Sequence, residues 1–147
     1  MTDHFVIDPS TLIQGYVQEL NTDNVLALLD GLKKQGVLAL HTPEFCVVEC
    51  TNILWRHVRF QGMPVDTAQK AVKDIADLPL TIHMAASYLP DALTIGLTNE
   101  LAIYDSIYIA LASALGFPLL TADAKQERAA IAAGVIIKPV ADFKPAP

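Results

Sequence analysis

The chain has 147 residues, the size of one compact domain, and we expect a single domain over residues 1–147. Although 52% of its residues are hydrophobic, no run approaches the roughly 18 uninterrupted apolar residues of a membrane helix. The N-terminal Met-Thr-Asp-His lacks the basic start of a signal peptide, so we expect a cytoplasmic protein that does not bind membranes. The net charge of −6 argues against binding nucleic acid by bulk electrostatic attraction, because phosphate binding usually requires a basic surface.

Predicted strands alternate with predicted helices along the chain. Hydrophobic periodicity and turn signals predict strands near residues 5–8, 38–42, 80–84, 118–122 and 135–138. They predict helices over about 10–18, 24–35, 43–60, 65–77, 87–99, 103–115 and 124–133. This alternation is typical of an α/β fold with a central parallel sheet covered on both faces.

Two acidic residues lie where predicted strands end. The apolar run Phe5–Ile7 is followed by Asp8 and then by Pro-Ser-Thr, which can start a helix. Leu-Leu-Thr-Ala-Asp123 repeats this arrangement before another helical run. Because the carboxyl ends of parallel strands border the crevice where ligands bind, we expect Asp8 and Asp123 to face the same crevice.

Two further acids lie on predicted helices. Glu49 shares a helix face with Asn52, three residues later, and with Arg56, seven residues later. Asp105 lies in the first turn of an almost wholly apolar helix that Gly116 is expected to end. A charge in such surroundings is costly to bury unless a metal ion, a partner or a solvent-filled cleft receives it. Acids far apart in sequence that converge in space would form a divalent-metal site.

The segments that carry these four acids resemble the PIN domain family, and are most similar to the VapC-like toxins of bacterial toxin–antitoxin pairs. The matching segments are Val6-Ile-Asp-Pro-Ser10, Glu49-Cys-Thr-Asn-Ile-Leu-Trp-Arg56, Tyr104-Asp-Ser-Ile-Tyr-Ile-Ala-Leu-Ala112 and Leu119-Leu-Thr-Ala-Asp123. They occur in the order and spacing of the family, and the resemblance covers nearly the whole chain. Pro9 departs from the pattern, since the family more often has a small residue there, and residues 57–99 match only in helical character.

The resemblance implies a three-layer α/β/α sandwich with a central parallel sheet. It also implies a divalent-metal-dependent endoribonuclease, the toxin of a toxin–antitoxin pair, with RNA as substrate and a cognate antitoxin protein as partner. The high apolar content and the resemblance together predict a homodimer.

Four acids without nearby cysteine or histidine ligands are typical of a site for Mg²⁺, with Mn²⁺ as an alternative ion. We expect all four acids to be catalytic, with Asp8 and Asp105 as the principal metal ligands. Glu49 and Asp123 are expected to act through water or at a second ion.

Polar neighbours of these acids are expected to support them. Ser10, Asn52 and Thr121 are predicted to donate hydrogen bonds that orient the carboxylates. Arg56 is predicted to contact a phosphate of bound RNA. The competing interpretation makes Arg56 an ion-pair partner of Glu49.

The remaining cysteines and histidines show no metal-ligand spacing. Cys46 and Cys50 lie four residues apart on a predicted helix, and no further cysteines complete a zinc site, so we expect both to be buried as small apolar residues. The four histidines, His4, His41, His57 and His83, are expected to be structural.

Three other functions compete with the nuclease. A phosphotransferase of the haloacid-dehalogenase type requires a second aspartate two residues after the first, where this chain has Ser10. A receiver domain requires an acidic pair near the first strand, which is absent around Asp8. The alternative that remains is a catalytically silent PIN-like module that binds RNA or a protein. The presence of all four acids favours the nuclease, and metal-dependent RNA cleavage by the purified chain would discriminate the two.

Overall fold

The centre of the computed structural model, which describes residues 1–147, is a parallel four-stranded sheet. Its strands are β1 (Asp3–Ile7), β2 (Leu38–Pro43), β3 (Thr81–His83) and β4 (Leu119–Leu120). Their order is β3-β2-β1-β4, and all three neighbouring pairs are parallel. Parallel neighbours need long crossover connections, and the helices between the strands provide them. The predicted α/β class with a central parallel sheet is confirmed.

Seven helices flank this sheet. They are α1 (Pro9–Leu12), α2 (Thr22–Lys33), α3 (Cys46–Phe60), α4 (Val65–Asp77), α5 (Leu89–Asn99), α6 (Ile103–Leu115) and α7 (Ala124–Ala132). Short 3₁₀ turns occupy Ile13–Gly15, Ala85–Tyr88 and Val140–Asp142. None of the helices combines the length and the apolar character that crossing a bilayer requires.

Several predicted boundaries were wrong. The helix predicted over residues 10–18 is instead the short α1 followed by a 3₁₀ turn. Pro43, expected at the first position of a helix, is the last residue of β2 and pairs with His83, while α3 begins only at Cys46. The strand predicted near 135–138 is reduced to one bridge between Leu119 and Ile137. For Pro43 and for the last segment, strand pairing decided a boundary at which the local signal allowed two conformations.

Helix α6 forms the centre of the core. Seven consecutive residues of it, Ser106 to Ala112, are buried, as its apolar sequence predicts. It ends at Gly116, which adopts the left-handed conformation with φ 71°. Close to its start, a Cβ atom on Gly96 of α5 would lie 2.7 Å from the Leu101 carbonyl oxygen. The chain can therefore make this tight connection between α5 and α6 only with glycine at position 96.

Three histidines form a hydrogen-bonded chain across the sheet. His4 Nδ1 lies 2.9 Å from His41 Nε2, and His41 Nδ1 lies 2.9 Å from His83 Nε2. The ring of Phe117 stacks on His4. Burial, together with the neighbouring His83 and His4, lowers the pKa of His41 to about 4, so the central imidazole is neutral near pH 7. The spacing of these residues in the sequence gives no sign of this chain, which exists because β1, β2 and β3 are neighbours.

Candidate active site

Asp8 lies at the carboxyl end of β1, where it caps α1. Its side chain is 2% exposed, and Oδ1 accepts a hydrogen bond from the Thr11 backbone N–H at 3.0 Å. The Ser10 hydroxyl lies 2.8 Å from both carboxylate oxygens, and the Thr121 hydroxyl lies 2.6 Å from Oδ2. Burial nevertheless raises the pKa of Asp8 to about 6, because it outweighs the hydrogen bonds that favour the charged form. The sequence fits this position: a β-prone run, an acid that can cap a helix, and a proline suited to the first helical turn.

Glu49 on α3 and Asp105 on α6 are half-buried and face the same region. The pKa of Glu49 is raised to about 7, first by burial and then by the negative charges of Asp105 and Asp8. The pKa of Asp105 is also raised, by burial and by Asp123, while the nearby Lys125 acts in the opposite direction. The four carboxylates are thus electrostatically coupled: Asp8 and Asp105 both act on Glu49, and Asp123 acts on Asp105.

Asp123 has a local structural role as well. It is exposed and caps α7, where its Oδ1 accepts hydrogen bonds from the backbone N–H groups of Lys125 at 2.8 Å and Gln126 at 3.2 Å. This cap accounts for an acid at position 123 by itself, since aspartate at this position stabilises a helix start. Its position at the end of β4 also brings it to the same sheet edge as Asp8.

The carboxylates do not form a closed coordination sphere. No group of three or more His, Cys, Asp or Glu side chains is placed so that it could hold a metal ion. Mg²⁺ needs only one or two carboxylates in direct contact, because it keeps several of its waters. Glu49 Oε1 and the Tyr108 hydroxyl are buried, and although the two groups interact, neither makes a hydrogen bond of good geometry. An unpaired buried carboxylate oxygen favours a nearby cation, so the residues fit a hard divalent ion held mainly through water.

The predicted supporting residues differ in where they lie. Ser10 and Thr121 both contact Asp8, and the Ser10 hydroxyl also accepts a hydrogen bond from the Ala122 backbone N–H at 3.0 Å. Asn52 is exposed on α3 and makes no side-chain hydrogen bond to a carboxylate. The contacts expected around Asp8 are therefore present, and that expected from Asn52 is not.

Arg56 is exposed on α3 and forms no ion pair with Glu49. The ion pair between Lys138 and Asp142 is the only one in the chain. Arg56 thus remains free to meet an external anion, which the competing ion-pair interpretation would not allow. The basic side chain that does influence the carboxylates is Lys125, which the sequence analysis did not identify.

Sequence reasoning also missed Gln126. This side chain is 1% exposed and lies within hydrogen-bond distance of both Thr121 and the backbone carbonyl of Asp105. A polar residue on the inward face of a short helix is a weak signal by itself, because its partners come from other segments. Cys46 and Cys50 are both buried with free thiols, as predicted.

Comparison with known families identifies this arrangement. The PIN domain family model matches residues 5–132, which include all four acids. The chain belongs to the PIN domain family. This PIN domain is 29% identical to Ribonuclease VapC3 of Pyrobaculum aerophilum over 120 residues, and the alignment covers 80% of this chain and 88% of that protein.

Solved structures share the fold of this PIN domain. The crystal structure of PAE2754 from Pyrobaculum aerophilum superposes with a TM-score of 0.70 at 17% identity, covering 97% of this chain and 93% of the other. The structure of VapBC2 from Rickettsia felis, bound to a DNA fragment from their promoter, superposes with a TM-score of 0.61 at 15% identity, covering 92% and 98%. The likeness therefore extends over almost the full length of both structures.

Proposed function

We propose that this PIN domain is a divalent-metal-dependent endoribonuclease and the toxin of a toxin–antitoxin pair. The observation that carries the proposal is the electrostatic coupling of four carboxylates from separate segments, Asp8, Glu49, Asp105 and Asp123. Unfavourable burial of negative charge, which raises the pKa values of Asp8 and Glu49, is relieved when a cation binds. The similarity to Ribonuclease VapC3 supports RNA as the substrate.

In this proposal Asp8 and Asp105 are the principal ligands of Mg²⁺ or Mn²⁺, and Glu49 and Asp123 act through water or at a second ion. Such an ion, when bound, positions the scissile phosphate, lowers the pKa of an attacking water and neutralises charge on the leaving oxygen. Ser10 and the Thr11 backbone N–H hold the Asp8 carboxylate in one orientation. Fixed ligands matter here, because an in-line attack on phosphorus tolerates little misplacement of the water.

Basic side chains near the acids have a separate task. Lys125 follows Asp123 at the start of α7, and Arg56 is exposed two helical turns from Glu49. Both can balance the phosphates of a single RNA strand, which the net charge of −6 would otherwise repel. Recognition by a few local contacts, and not by a broad basic surface, is the mode that this composition supports.

The experiment for the nuclease is cleavage of RNA by the purified chain with Mg²⁺, with Mn²⁺ and with a chelator. We expect cleavage only with a divalent ion, and we expect Asp8→Asn and Asp105→Asn to remove it. Loss of an outer-shell partner alone costs about 10–100-fold, so loss of a direct ligand should cost more than about 100-fold. Asp66→Asn is the matched control, because Asp66 is an exposed acid in the first turn of α4. Cleavage that persists in the chelator, or in both site variants, would contradict the proposal and favour the catalytically silent alternative.

An apolar groove between α3 and α4 supports an antitoxin as partner. It has a volume of about 340 Å³ and is lined mostly by apolar side chains, among them Leu54, Trp55, Val58 and Val65. Trp55 is 56% exposed and Val65 is also 56% exposed, which leaves much apolar surface in water. We propose that apolar side chains of an antitoxin segment fill this groove. The similarity to the Rickettsia felis VapBC2 structure supports such a partner.

A second apolar surface supports a homodimer. Leu89, Leu93 and Leu97 recur every four residues on α5 and are 45%, 52% and 74% exposed. A stripe of this kind suits a two-fold contact, in which the same patch serves both subunits. We propose that α5 packs against its copy in a second molecule.

Two charge-introducing variants separate these surfaces. Light scattering should report a dimer for the wild type and a monomer for Leu97→Asp, whereas Trp55→Asp should remain dimeric. Co-expression with the product of the adjacent reading frame should yield a complex with the wild type and with Leu97→Asp, but not with Trp55→Asp. A monomeric wild type would contradict the dimer, and a complex formed equally by Trp55→Asp would contradict the assigned groove.

A further inference from the structure

The side chain of Gln126 joins the segments that carry the two principal acids of the site. Its Nε2 donates a hydrogen bond to the backbone carbonyl of Asp105 at 2.9 Å, in the first turn of α6. Its Oε1 lies 2.7 Å from the Thr121 hydroxyl, which in turn lies 2.6 Å from Asp8 Oδ2. The Thr121 hydroxyl therefore lies between Asp8 and Gln126, and Gln126 in turn bonds to the main chain of Asp105, so α7 bridges the two segments.

The orientation of this amide is fixed by its partners. A backbone carbonyl only accepts hydrogen bonds, so the group facing Asp105 must be the Gln126 NH₂. The Gln126 carbonyl oxygen then faces Thr121, whose hydroxyl also accepts a hydrogen bond from the Asp123 backbone N–H at 3.1 Å. Methionine matches the length of glutamine but makes neither bond, so replacing Gln126 by methionine removes both contacts with little change in side-chain length.

Burial makes these bonds strong constraints. Gln126 is 1% exposed, and water therefore does not replace a partner that is lost. The bond to Asp105 ties the first turn of α6 to the first turn of α7, and the contact with Thr121 ties α7 to the end of β4. The relative position of Asp8 and Asp105 thus depends on one buried amide that contacts neither carboxylate.

We propose that Gln126 is a positioning residue for the acidic site: it holds Thr121 and the first turn of α6 so that the carboxylates of Asp8 and Asp105 are presented together to one cation. This inference rests on the proposed metal-dependent function and extends it to a residue outside the four acids. Gln126 acts through Thr121 and through the Asp105 main chain, and it takes no part in the chemical step.

A purely structural role is the competing account. In that account Gln126 only satisfies buried polar groups, and its loss lowers stability without altering the binding of a cation. The Thr121 hydroxyl also has a single hydrogen, which serves either Asp8 or Gln126 at one time. Removal of Gln126 by itself would then leave the hydrogen with Asp8, and cation binding would be unchanged or tighter. The direction of the change in cation affinity therefore separates the two accounts.

The test is a calorimetric titration of the metal-free protein with Mn²⁺ alone. It compares wild type, Gln126→Met, Thr121→Val and the double variant. We expect Gln126→Met to weaken Mn²⁺ binding about 10-fold, the lower end of the range for residues that orient metal ligands. In the Thr121→Val background the same change should weaken binding by less than about 3-fold, because the two residues act along one path. RNA cleavage by Gln126→Met should be closer to the wild-type rate at saturating Mn²⁺ than at low Mn²⁺.

Thr22→Val is the matched control. Thr22 is 7% exposed, and its hydroxyl accepts a hydrogen bond from the Glu19 backbone N–H at 2.8 Å and donates one to the Val17 backbone carbonyl at 3.3 Å, without a contact to any residue of the acidic site. Its replacement should lower the free energy of unfolding in urea about as much as Gln126→Met does, yet leave Mn²⁺ affinity unchanged. Gln126→Asn, which keeps the amide but is too short to reach both partners, should weaken Mn²⁺ binding like Gln126→Met and serves if the methionine variant does not fold.

The outcomes are distinct. Mn²⁺ binding by wild type with equal or tighter binding by both Gln126 variants would overturn the positioning role and leave the proposed function intact. Equal weakening in Thr22→Val, or additive effects in the double variant, would also overturn it, since the effect would then be one of general stability. Absence of Mn²⁺ binding by wild type would overturn the proposed function and this inference together.

Discussion

Replacement of Asp8 by asparagine should stabilise the metal-free protein at alkaline pH. Burial raises the pKa of Asp8 from 3.8 to about 6, so the folded state resists ionisation of this group. At about 1.4 kcal/mol for each pH unit, this difference corresponds to about 3 kcal/mol in the free energy of unfolding. Because the folded-state pKa is the higher one, the stabilising contribution is complete below pH 3.8, and it is lost as pH rises through about 6. Asparagine has no charge to bury, and it caps a helix as well as aspartate does.

The assay is urea unfolding in a chelator across a pH series, for wild type and Asp8→Asn. The difference in free energy of unfolding between the two proteins should grow in favour of the variant as pH rises from about 4 to about 8, by about 3 kcal/mol in total. A change of this size is readily measured against a typical total of about 5–15 kcal/mol. Any hydrogen bond that asparagine makes less well adds a constant offset, so the pH dependence of the difference is the quantity that decides.

The control is Asp66→Asn, in which an exposed acid is neutralised far from the buried site. Its difference from wild type should stay within about 0.5 kcal/mol over the same pH series. A difference for Asp8→Asn that is flat with pH, or that grows in favour of the wild type, would refute the reasoning that burial dominates at this position.

Three further outcomes follow from other residues. Burial and its acidic neighbours raise the pKa of Glu49 to about 7, so Mn²⁺ affinity measured by calorimetry should rise between about pH 6 and pH 8. Glu49→Gln should lower the affinity and flatten this rise. An equally steep rise in the variant would exclude Glu49 as its source. Arg56→Ala should reduce the slope of log affinity for single-stranded RNA against log salt concentration by about 0.7, with little change in Mn²⁺ affinity. Arg59→Ala is the comparison, and an unchanged slope in Arg56→Ala would show that Arg56 contacts no phosphate. Gly96→Ala should lower the free energy of unfolding by about 1–3 kcal/mol, because the new methyl group would lie 2.7 Å from the Leu101 carbonyl oxygen. Urea unfolding that gives the wild-type stability would show that the connection between α5 and α6 is loose.

Local sequence signals located most of the elements and all four acids. The run before Asp8 is β-prone, and Pro9 suits the first turn of a helix, so the sequence predicted this acid at a strand-to-helix junction. The almost wholly apolar α6 and its end at Gly116 follow from composition and from the conformational freedom of glycine. These features depend on neighbours within a few residues, and they survive in any tertiary arrangement of the chain.

Other boundaries depended on which segments pair. Pro43 is acceptable both as a first helical residue and at the end of a strand, and its pairing with His83 decided the second. The segment predicted as a last strand makes only the bridge from Ile137 to Leu119, because the neighbouring strand β4 is itself two residues long. Sequence periodicity carries no information on how much of a partner strand is available.

The sequence by itself determined which residues bring charge to the carboxyl end of the sheet, and the resemblance to the PIN domain family followed from their order. Only the tertiary structure decided which of the predicted neighbours contact them and which others do: it brings the predicted Thr121 to Asp8 across 113 residues of sequence, and it adds Gln126, which contacts Asp105 across 21. It likewise left Asn52 exposed on α3. The physical reason is that hydrogen bonds between side chains form over about 3 Å, a distance set by strand order and helix packing, whereas residue spacing along the chain sets only which face of one element a side chain occupies.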